Sequence, residues 1–287
     1  MGEGSANLDH ETVDGFGVEW TAFDQSGMTG TEALRAFDDY FSLFPWATLP
    51  PGATGFDLGC GSGRWARFVA PRVAQLHCID ASPAAVEVAR RNLSKHSNCV
   101  FHVASVDAMP IADGTMDFGF SLGVLHHVPD TAAGIATCAR KLKPDAPFLL
   151  YLYYNFENRS VAFRALWRMT DVLRRGICRL PVASRLASTA VIAAGVYWPL
   201  ARLARAAERR GFNVDSVPLS AYRNSSFYTM RTDSYDRFAT QLEQRFSRAE
   251  ITSMMAAAGL ERISFRDAAP FWCAIGYLRR LPPTVSH

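Results

Sequence analysis

The stretch "FDLGCGSGRWARF", residues 56–68, sets Gly59, Gly61 and Gly63 at every second position behind Asp57. Glycine lowers stability inside regular structure unless the backbone needs φ > 0 or must come close to another group. Glycines that follow a strand and open a helix let backbone N–H groups approach a ligand at the helix N-terminus. The stretch therefore predicts a ligand-binding loop between a strand and a helix.

Short apolar runs and helical patterns alternate on both sides of this loop. Helices are predicted over 64–72, from Ser82 to about residue 95, and over 131–142, between runs typical of five strands: "TGFDLG", "AQLHCID", "CVFHVAS", "MDFGFSLG" and "PFLLYLYY". This alternation predicts a parallel sheet in an α/β fold. Further on, Ser247 and Glu250 form a capping box for another helix. The runs "LERISFRD" and "FWCAIGYL" predict a closing strand pair.

The two segments outside the alternation have weaker patterns. Residues 1–30 are polar and glycine-rich apart from three aromatic residues, and residues 31–46 have helical spacing. Residues 156–210 are mostly helical in pattern, whereas 211–245 show no clear periodicity. Loops of this length at the end of a strand usually carry specificity, so residues 156–246 are predicted to form an insertion that contacts an acceptor.

Composition narrows the class of protein. The 287 residues, 20% of them charged, suit one large domain with an insertion. Six cysteines without paired spacing favour a reduced, cytoplasmic setting, and the polar N-terminus does not resemble a signal peptide. The long uncharged run of residues 186–201 is shorter than the ~20 apolar residues of a membrane span.

Basic residues are concentrated in the insertion. Residues 164–210 contain ten arginines and two acids. Three interpretations stay open: solvated helix faces, a peripheral membrane contact with anionic lipid, and the seal of a lid or dimer. Nucleic-acid binding is not predicted, because no RNA-binding motif accompanies the basic stretch.

The motif "DLGCGSG" resembles the first motif of the class I S-adenosylmethionine-dependent methyltransferases. "CIDAS", "VDAMP" and "LGVLHHVPD" resemble the motifs that follow it in that family, each at the end of a strand. The resemblance implies S-adenosylmethionine as cofactor, S-adenosylhomocysteine as product and no metal. It also implies a set of cofactor-binding residues. The methionyl part and ribose would be held by Asp57, Gly59, Cys60, Gly61 and Gly63, and the ribose hydroxyls by Asp80 and Ala81. Asp107 and Ala108 would contact the adenine, Leu122 would contact the cofactor at the fourth strand, and Trp20, with Phe16, would lie in a segment folded over the cofactor.

The resemblance also implies the overall organisation. We expect a Rossmann-like, mostly parallel sheet of seven strands with an antiparallel last strand and a helical lid inserted after strand five. The predicted units are an N-terminal helical and aromatic cap segment (1–50), the cofactor-binding core (51–155), the inserted lid and acceptor region (156–246), and a helix and strand pair that complete the core (247–287).

Four residues are candidates for the chemistry. His126 and His127 follow the fourth strand, and either could be a base with a pKa near neutral or a hydrogen-bonded residue that shapes the pocket. Tyr222 and Arg223 are the first candidates for contact with the acceptor, followed by Arg231. The polar stretch 218–238 could equally be a self-contained network of turns and ion pairs.

The sequence therefore predicts a cytoplasmic biosynthetic transferase that moves a methyl group to a small or medium-sized acceptor. A natural product, a sugar and a lipid-linked intermediate all fit, and the protein could be a monomer or a homodimer. Two alternatives stay open. One is an enzyme that consumes the same cofactor without methyl transfer, for instance by cyclising its aminobutyryl arm and releasing methylthioadenosine. The other is a non-catalytic module that only binds the cofactor.

Overall fold

The computed structural model describes residues 7–214 and 217–280 and contains one seven-stranded sheet. The strand order is β3-β2-β1-β4-β5-β7-β6. Strand β7 runs antiparallel to both of its neighbours, and all other pairs are parallel. The predicted fold class is confirmed. The strands are β1 (Thr54–Leu58), β2 (Gln75–Asp80), β3 (Cys99–Val103), β4 (Phe118–Leu122), β5 (Pro147–Tyr151), β6 (Leu260–Phe265) and β7 (Cys273–Leu278).

Alternating side chains of the strands bury both faces of the sheet. Phe148 and Leu150 of β5 pack in one core, whereas Leu149 packs in the other. The helices are α1 (His10–Ala22), α2 (Gly30–Tyr40), α3 (Ala66–Val69), α4 (Pro83–Asn92), α5 (Thr131–Lys141), α6 (Val161–Ile177), α7 (Val182–Ile192), α8 (Trp198–Glu208), α9 (Phe227–Ala239) and α10 (Arg248–Ala257).

Local signals fixed several helix ends. The Ser82 side chain accepts a hydrogen bond from the N–H of Ala85 at the start of α4, and the capping box of Ser247 and Glu250 begins α10. The helix predicted over 64–72 is shorter than expected. Its α-helical part, α3, covers only 66–69 and continues as a 3₁₀ turn over 70–72, because Pro71 has no N–H to extend the helix.

Helix α1 is a correction to the polar N-terminal segment expected from the sequence. Asp9 caps it by accepting a hydrogen bond from the N–H of Thr12. Its apolar residues Val13, Phe16 and Trp20 repeat at helical spacing, but Gly15 and Gly17 lower the helical signal. Helix α9 is a second correction, because residues 211–245 show no clear periodicity in the sequence. Hydroxyl residues on the buried side of the helix interrupt its apolar pattern.

Gly17 lets α1 cross closely over α4. A Cβ atom at Gly17 would lie 2.8 Å from Oγ of Ser82, whereas one at Gly15 would meet nothing within 4 Å. We expect Gly17→Ala to lower the free energy of unfolding by about 1–3 kcal/mol through overpacking. The control Gly15→Ala should raise it by about 0.5–1 kcal/mol, since alanine favours helix. Urea unfolding of both variants measures the difference, and equal effects would contradict the close crossing.

The chain between β5 and α10 contains α6–α9, and its two ends meet beside the sheet. The N–H of Asn155 donates to the carbonyl of Phe246 at 3.1 Å, and the N–H of Phe246 donates to the carbonyl of Tyr153 at 2.9 Å. Helix α9 packs against both α6 and α7. These four helices occupy the segment expected as the lid. The predicted units also include residues 1–6, 215–216 and 281–287, which lie outside the described residues.

Helices α7 and α8 join through a π-helical turn at Ala193–Tyr197 into one helical run, Val182–Glu208. This run of 27 residues is long and apolar enough to cross a membrane by length and composition, with a mean hydropathy of 1.3 in its most apolar window. The expectation that this segment is too short for a membrane span is wrong, because it rests on the uncharged stretch 186–201 alone, whereas the helical run continues past Arg185 and Arg202. Only 22% of that window is buried.

Candidate active site

The glycine loop lies between β1 and α3 and folds over the end of β2. Gly59, Gly61 and Gly63 have φ values of +75°, +53° and +77°. A Cβ atom at Gly59 would lie 2.2 Å from a methyl group of Val124, and one at Gly61 would lie 2.8 Å from the Trp20 ring. Both the dihedral angles and the lack of space therefore require glycine at these positions.

Hydrogen bonds fix the loop to the end of β2. The N–H groups of Gly59 and Cys60 donate to the carbonyl of Ile79 at 2.7 and 3.0 Å. The N–H of Gly61 donates to Oδ2 of Asp80 at 2.9 Å, and the N–H of Ser82 donates to Oδ1 of Asp80 at 2.9 Å. Burial raises the pKa of the Asp80 carboxyl, and the two backbone donors oppose that shift. Asp80 therefore links the loop to the start of α4.

A first cavity of about 110 Å³ lies between this loop, the ends of β2 to β4, and the N-terminal segment. Six predicted cofactor residues border it: Trp20, Gly59, Cys60, Asp80, Ala81 and Leu122. Phe16 and His127 also border it, with their rings packed edge to face at 4.9 Å between centroids. Helix α1 thus covers the carboxyl ends of the strands.

The other predicted cofactor residues do not border the first cavity. Gly61 and Gly63 shape the loop from behind, and the next loop presents Ser105 and Val106 instead of Asp107 and Ala108. The exposed Asp107 side chain accepts hydrogen bonds from the Ser105 hydroxyl and the Asn7 N–H.

Asp57 lies within β1, is 1% exposed, and its Oδ2 has no hydrogen-bond partner. Burial, with the nearby Asp80 as a smaller cause, raises the pKa of the Asp57 carboxyl well above its usual range. Asp57 therefore lies beneath the loop and borders neither cavity.

A second, larger cavity of about 610 Å³ lies between the sheet, α1, α2 and the inserted lid. The two cavities share a wall, which consists of Phe16, Trp20, Arg64, Trp65, Leu122 and Gly123. The shared wall lies where β4 ends, the position at which open α/β sheets bind their ligands. Molecules held in the two cavities would therefore meet at this wall.

Aromatic rings make up much of the second cavity. Tyr40, Tyr151, Tyr153, Tyr197 and Tyr222 all border it. Tyr40 packs against Trp65 with 4.7 Å between ring centroids, and Tyr151 packs against Tyr40 at 5.0 Å. This lining suits a flat or apolar ligand body held by a few polar groups.

A carboxylate cluster, defined as Glu19, Asp233 and Asp236, also borders the second cavity. Desolvation, then repulsion by Asp236 and Asp233, raises the pKa of Glu19 well above its usual range. Desolvation raises the pKa of Asp233 to about 6, while Arg64 of the shared wall and the Tyr222 hydroxyl oppose the rise. Glu19 is 2% exposed.

Tyr153 contributes a hydrogen bond to the same cluster, because its hydroxyl donates to Oδ2 of Asp236. Glu19, Arg64 and Tyr153 are not among the residues that the sequence indicates for the site, and Asp233 and Asp236 belong only to the polar stretch 218–238. The spacing of the two aspartates, three residues apart, was the available signal once α9 was recognised as a helix.

His126 is a correction to the expected bases. Its ring is fully buried, stacks on Tyr153 with 3.8 Å between centroids, and borders neither cavity. Desolvation lowers its pKa well below the usual range. It therefore supports the wall rather than contacting a ligand.

His127 borders the first cavity but not the second. Its Nδ1 lies 2.6 Å from the carbonyl of Leu242, and because a carbonyl only accepts, Nδ1 carries the proton. Nε2 is then an unprotonated acceptor without a hydrogen-bond partner among the described residues, and desolvation lowers the pKa of the ring.

Tyr222 and Arg223 both border the second cavity, and their contact with an acceptor stays a prediction. Tyr222 faces Asp233, whereas the Arg223 guanidinium is already bonded to Glu208 at 2.8 Å and to the carbonyl of Ser220 at 3.0 Å. Arg231 is a correction: it is exposed, lies over the Phe23 ring and borders neither cavity.

The sheet order, the glycine loop and the paired cavities define a class I, Rossmann-like methyltransferase domain. Residues 56–150 match a family model described as "Methyltransferase domain". Residues 56–150 therefore contain a methyltransferase domain, as the resemblance predicted, and S-adenosylmethionine is the cofactor of the class I methyltransferases. The glycine loop and the Asp80 carboxylate fit that cofactor, since they offer close backbone approach and acceptors for ribose hydroxyls.

Curated relatives agree over the core. The chain is 36% identical over 118 residues to a ubiquinone biosynthesis O-methyltransferase of Xanthomonas campestris and 37% identical over 117 residues to that of Xanthomonas oryzae. These matches cover 40% of this chain and 48% and 47% of the relatives, so the chain spans about half the length of the curated relatives it matches.

A solved structure is similar over nearly the whole chain. It is the methyltransferase in a complex with the Trm112 methyltransferase activator from Haloferax volcanii. The TM-score is 0.54 with 17% identity, and the alignment covers 94% of this chain and 99% of the other. At 17% sequence identity, this similarity shows only that the two chains share a fold.

Proposed function

We propose that the protein transfers the methyl group of S-adenosylmethionine to a phenolic hydroxyl of a small acceptor in the second cavity. The observation that carries the proposal is the shared wall, which joins the loop and carboxylate of the first cavity to a larger cavity lined by aromatic rings. The aromatic lining supports an aromatic acceptor, and the O-methyltransferase names of the relatives support oxygen as the methylated atom.

Asp233 is the proposed base for the acceptor hydroxyl. Its pKa of about 6 leaves the carboxylate ionised at neutral pH and still able to accept a proton. Arg64 of the shared wall borders the second cavity together with the cluster, which supports a position of the cluster close to the proposed transfer point. Glu19, whose pKa burial also raises, is proposed to orient the acceptor.

When bound, S-adenosylmethionine would supply an electrophilic methyl carbon, and its sulfonium sulfur would become the neutral thioether of S-adenosylhomocysteine. The acceptor oxygen forms the new bond to that carbon while Asp233 takes the hydroxyl proton. The rings of the second cavity align the acceptor and exclude water, and orientation of this kind contributes on the order of 7–11 kcal/mol to lowering a barrier. The six cysteines are all free, which supports the cytoplasm as the proposed compartment.

A product assay tests the proposal. The protein is incubated with S-adenosylmethionine and 3,4-dihydroxybenzoate, with 3,4-diaminobenzoate as the matched amine, and the products are identified by mass spectrometry. We expect S-adenosylhomocysteine and a methyl ether from the diphenol only. Methylthioadenosine would contradict methyl transfer, methylation of the diamine alone would contradict a hydroxyl acceptor, and cofactor binding without turnover of either probe would contradict a phenolic acceptor.

A further inference from the structure

Exposed apolar side chains are concentrated on the inserted lid. Among the described residues, 17 large apolar side chains are exposed, and 14 of them lie between Val161 and Val217. Soluble proteins commonly expose single apolar residues, but a concentration of this size marks an interaction surface. The exposed sides of α6, α7 and α8 form one surface, which is called the lid face.

Helix α6 has two kinds of exposed residue beside its packed side. Val161, Met169 and Val172 recur at helical spacing and are 72%, 71% and 72% exposed. Arg164 and Arg168, with Arg175 two turns further, form an adjacent exposed stripe. The remaining side is buried and packs on α9. Apolar residues and arginines thus lie side by side on the outer surface of α6.

The helical run of α7 and α8 is held to the protein along one side. Thr189, Ala193, Tyr197 and Ala201 recur every four residues and are buried, whereas Val191 and Leu203 are 70% and 66% exposed on other sides. Because α7 packs along α9, this run can lie flat on a bilayer without leaving the fold, whereas crossing the bilayer would break that packing.

A cleft of about 510 Å³ lies beside α6 and is bordered both by exposed arginines and by an exposed apolar side chain of the lid face. Arg164, Arg168, Arg175 and Val172 all line it. Arg175 is paired with Asp171, but Arg164 and Arg168 form no ion pair with the described residues. Free guanidinium groups next to exposed apolar side chains match the phosphate and upper acyl region of an anionic lipid.

We infer that the lid face binds the surface of a membrane that contains anionic lipid. Residues 164–210 carry ten arginines and only two acids; of the acids, Asp171 is buried in ion pairs and Glu208 is paired with Arg223. A two-fold contact between copies would set this basic surface against itself, which like-charge repulsion disfavours. Anionic headgroups neutralise the arginines while the apolar side chains enter the interface. This inference does not depend on the proposed reaction.

Vesicle flotation of the full chain tests the inference. The vesicles are pure phosphatidylcholine or phosphatidylcholine with 30% phosphatidylglycerol, each at low and high salt. We expect binding to the anionic vesicles that weakens at high salt. Replacing Arg164, Arg168 and Arg175 by glutamine should weaken partitioning about 100-fold, because each basic residue near such a surface contributes about 5-fold.

A matched pair of substitutions separates the lid face from general effects of charge. Val172→Asp lies on the lid face, and Val103→Asp alters a valine that is 54% exposed on β3, away from it. We expect Val172→Asp to reduce flotation at least 5-fold and Val103→Asp to leave it unchanged, with thermal unfolding of both close to the parent. No flotation of the parent chain, equal binding to neutral vesicles, or equal loss in both variants would overturn the inference. The inference would also be overturned if sedimentation showed that the parent chain is a dimer and that Val172→Asp dissociates it.

Discussion

Replacing Asp233 by asparagine lowers kcat for the diphenol by about 10²–10⁴-fold, the range that a positioned base contributes. Asparagine keeps the size of the side chain and removes its capacity to take a proton. The parent enzyme should lose kcat as the pH falls through about 6, because the protonated Asp233 carboxyl cannot act as the base. Above that pH the rate should level off, and the inflection should be absent from Asp233→Asn.

The control for this prediction is Asp39→Asn, a carboxylate on the rim of the same cavity that is already paired with Arg266. Its kcat should change less than 3-fold. Cofactor binding, measured by calorimetry, should be unchanged in both variants, since neither aspartate borders the first cavity. An unchanged pH profile in Asp233→Asn would exclude Asp233 and leave His127, the other candidate base, whose Nε2 is unprotonated.

The cofactor side of the molecule could be predicted from the sequence because its signals are local. The glycine loop follows β1 directly, and Asp80 and Leu122 are the last residues of β2 and β4. Parallel strands bring such ends to one edge of the sheet. The sequence is a less precise guide within a turn, where residues close together in the chain can point either into the cavity or away from it. Asp107 and Ser105 are two residues apart, yet the turn after β3 directs Ser105 inward and ties Asp107 to Asn7.

The acceptor side could not be derived in the same way, because its parts come from distant segments. Glu19 lies on α1 and Asp233 on α9, and the two meet only when the inserted lid packs on the N-terminal helix. Both helices were missed, α1 because of its glycines and α9 because of its buried hydroxyl groups. The position of His126 also depends on tertiary packing: its ring is enclosed by Tyr153 rather than directed at a ligand.

Replacing Asp80 by alanine should weaken the binding of S-adenosylhomocysteine about 100-fold or more. The substitution removes a carboxylate that borders the first cavity and accepts the N–H groups of Gly61 and Ser82, each at 2.9 Å. A hydrogen bond to a charged group contributes about 1.5–3 kcal/mol, so the two bonds together stabilise the loop by more than about 2.7 kcal/mol. A loss of about 2.7 kcal/mol in binding free energy corresponds to an affinity about 100-fold weaker.

Asp107→Ala is the matched control for Asp80→Ala, because the family resemblance implies a cofactor contact for both aspartates but only Asp80 borders the first cavity. We expect the Kd of Asp107→Ala to stay within about 5-fold of the parent value, since its carboxylate is exposed and bonded to Ser105 and Asn7. Titration calorimetry gives both affinities, and thermal unfolding checks that each variant is folded. Equal weakening in the two variants would mean that the cofactor extends over the loop after β3, whereas unchanged affinity in folded Asp80→Ala would remove the central contact of the cofactor site.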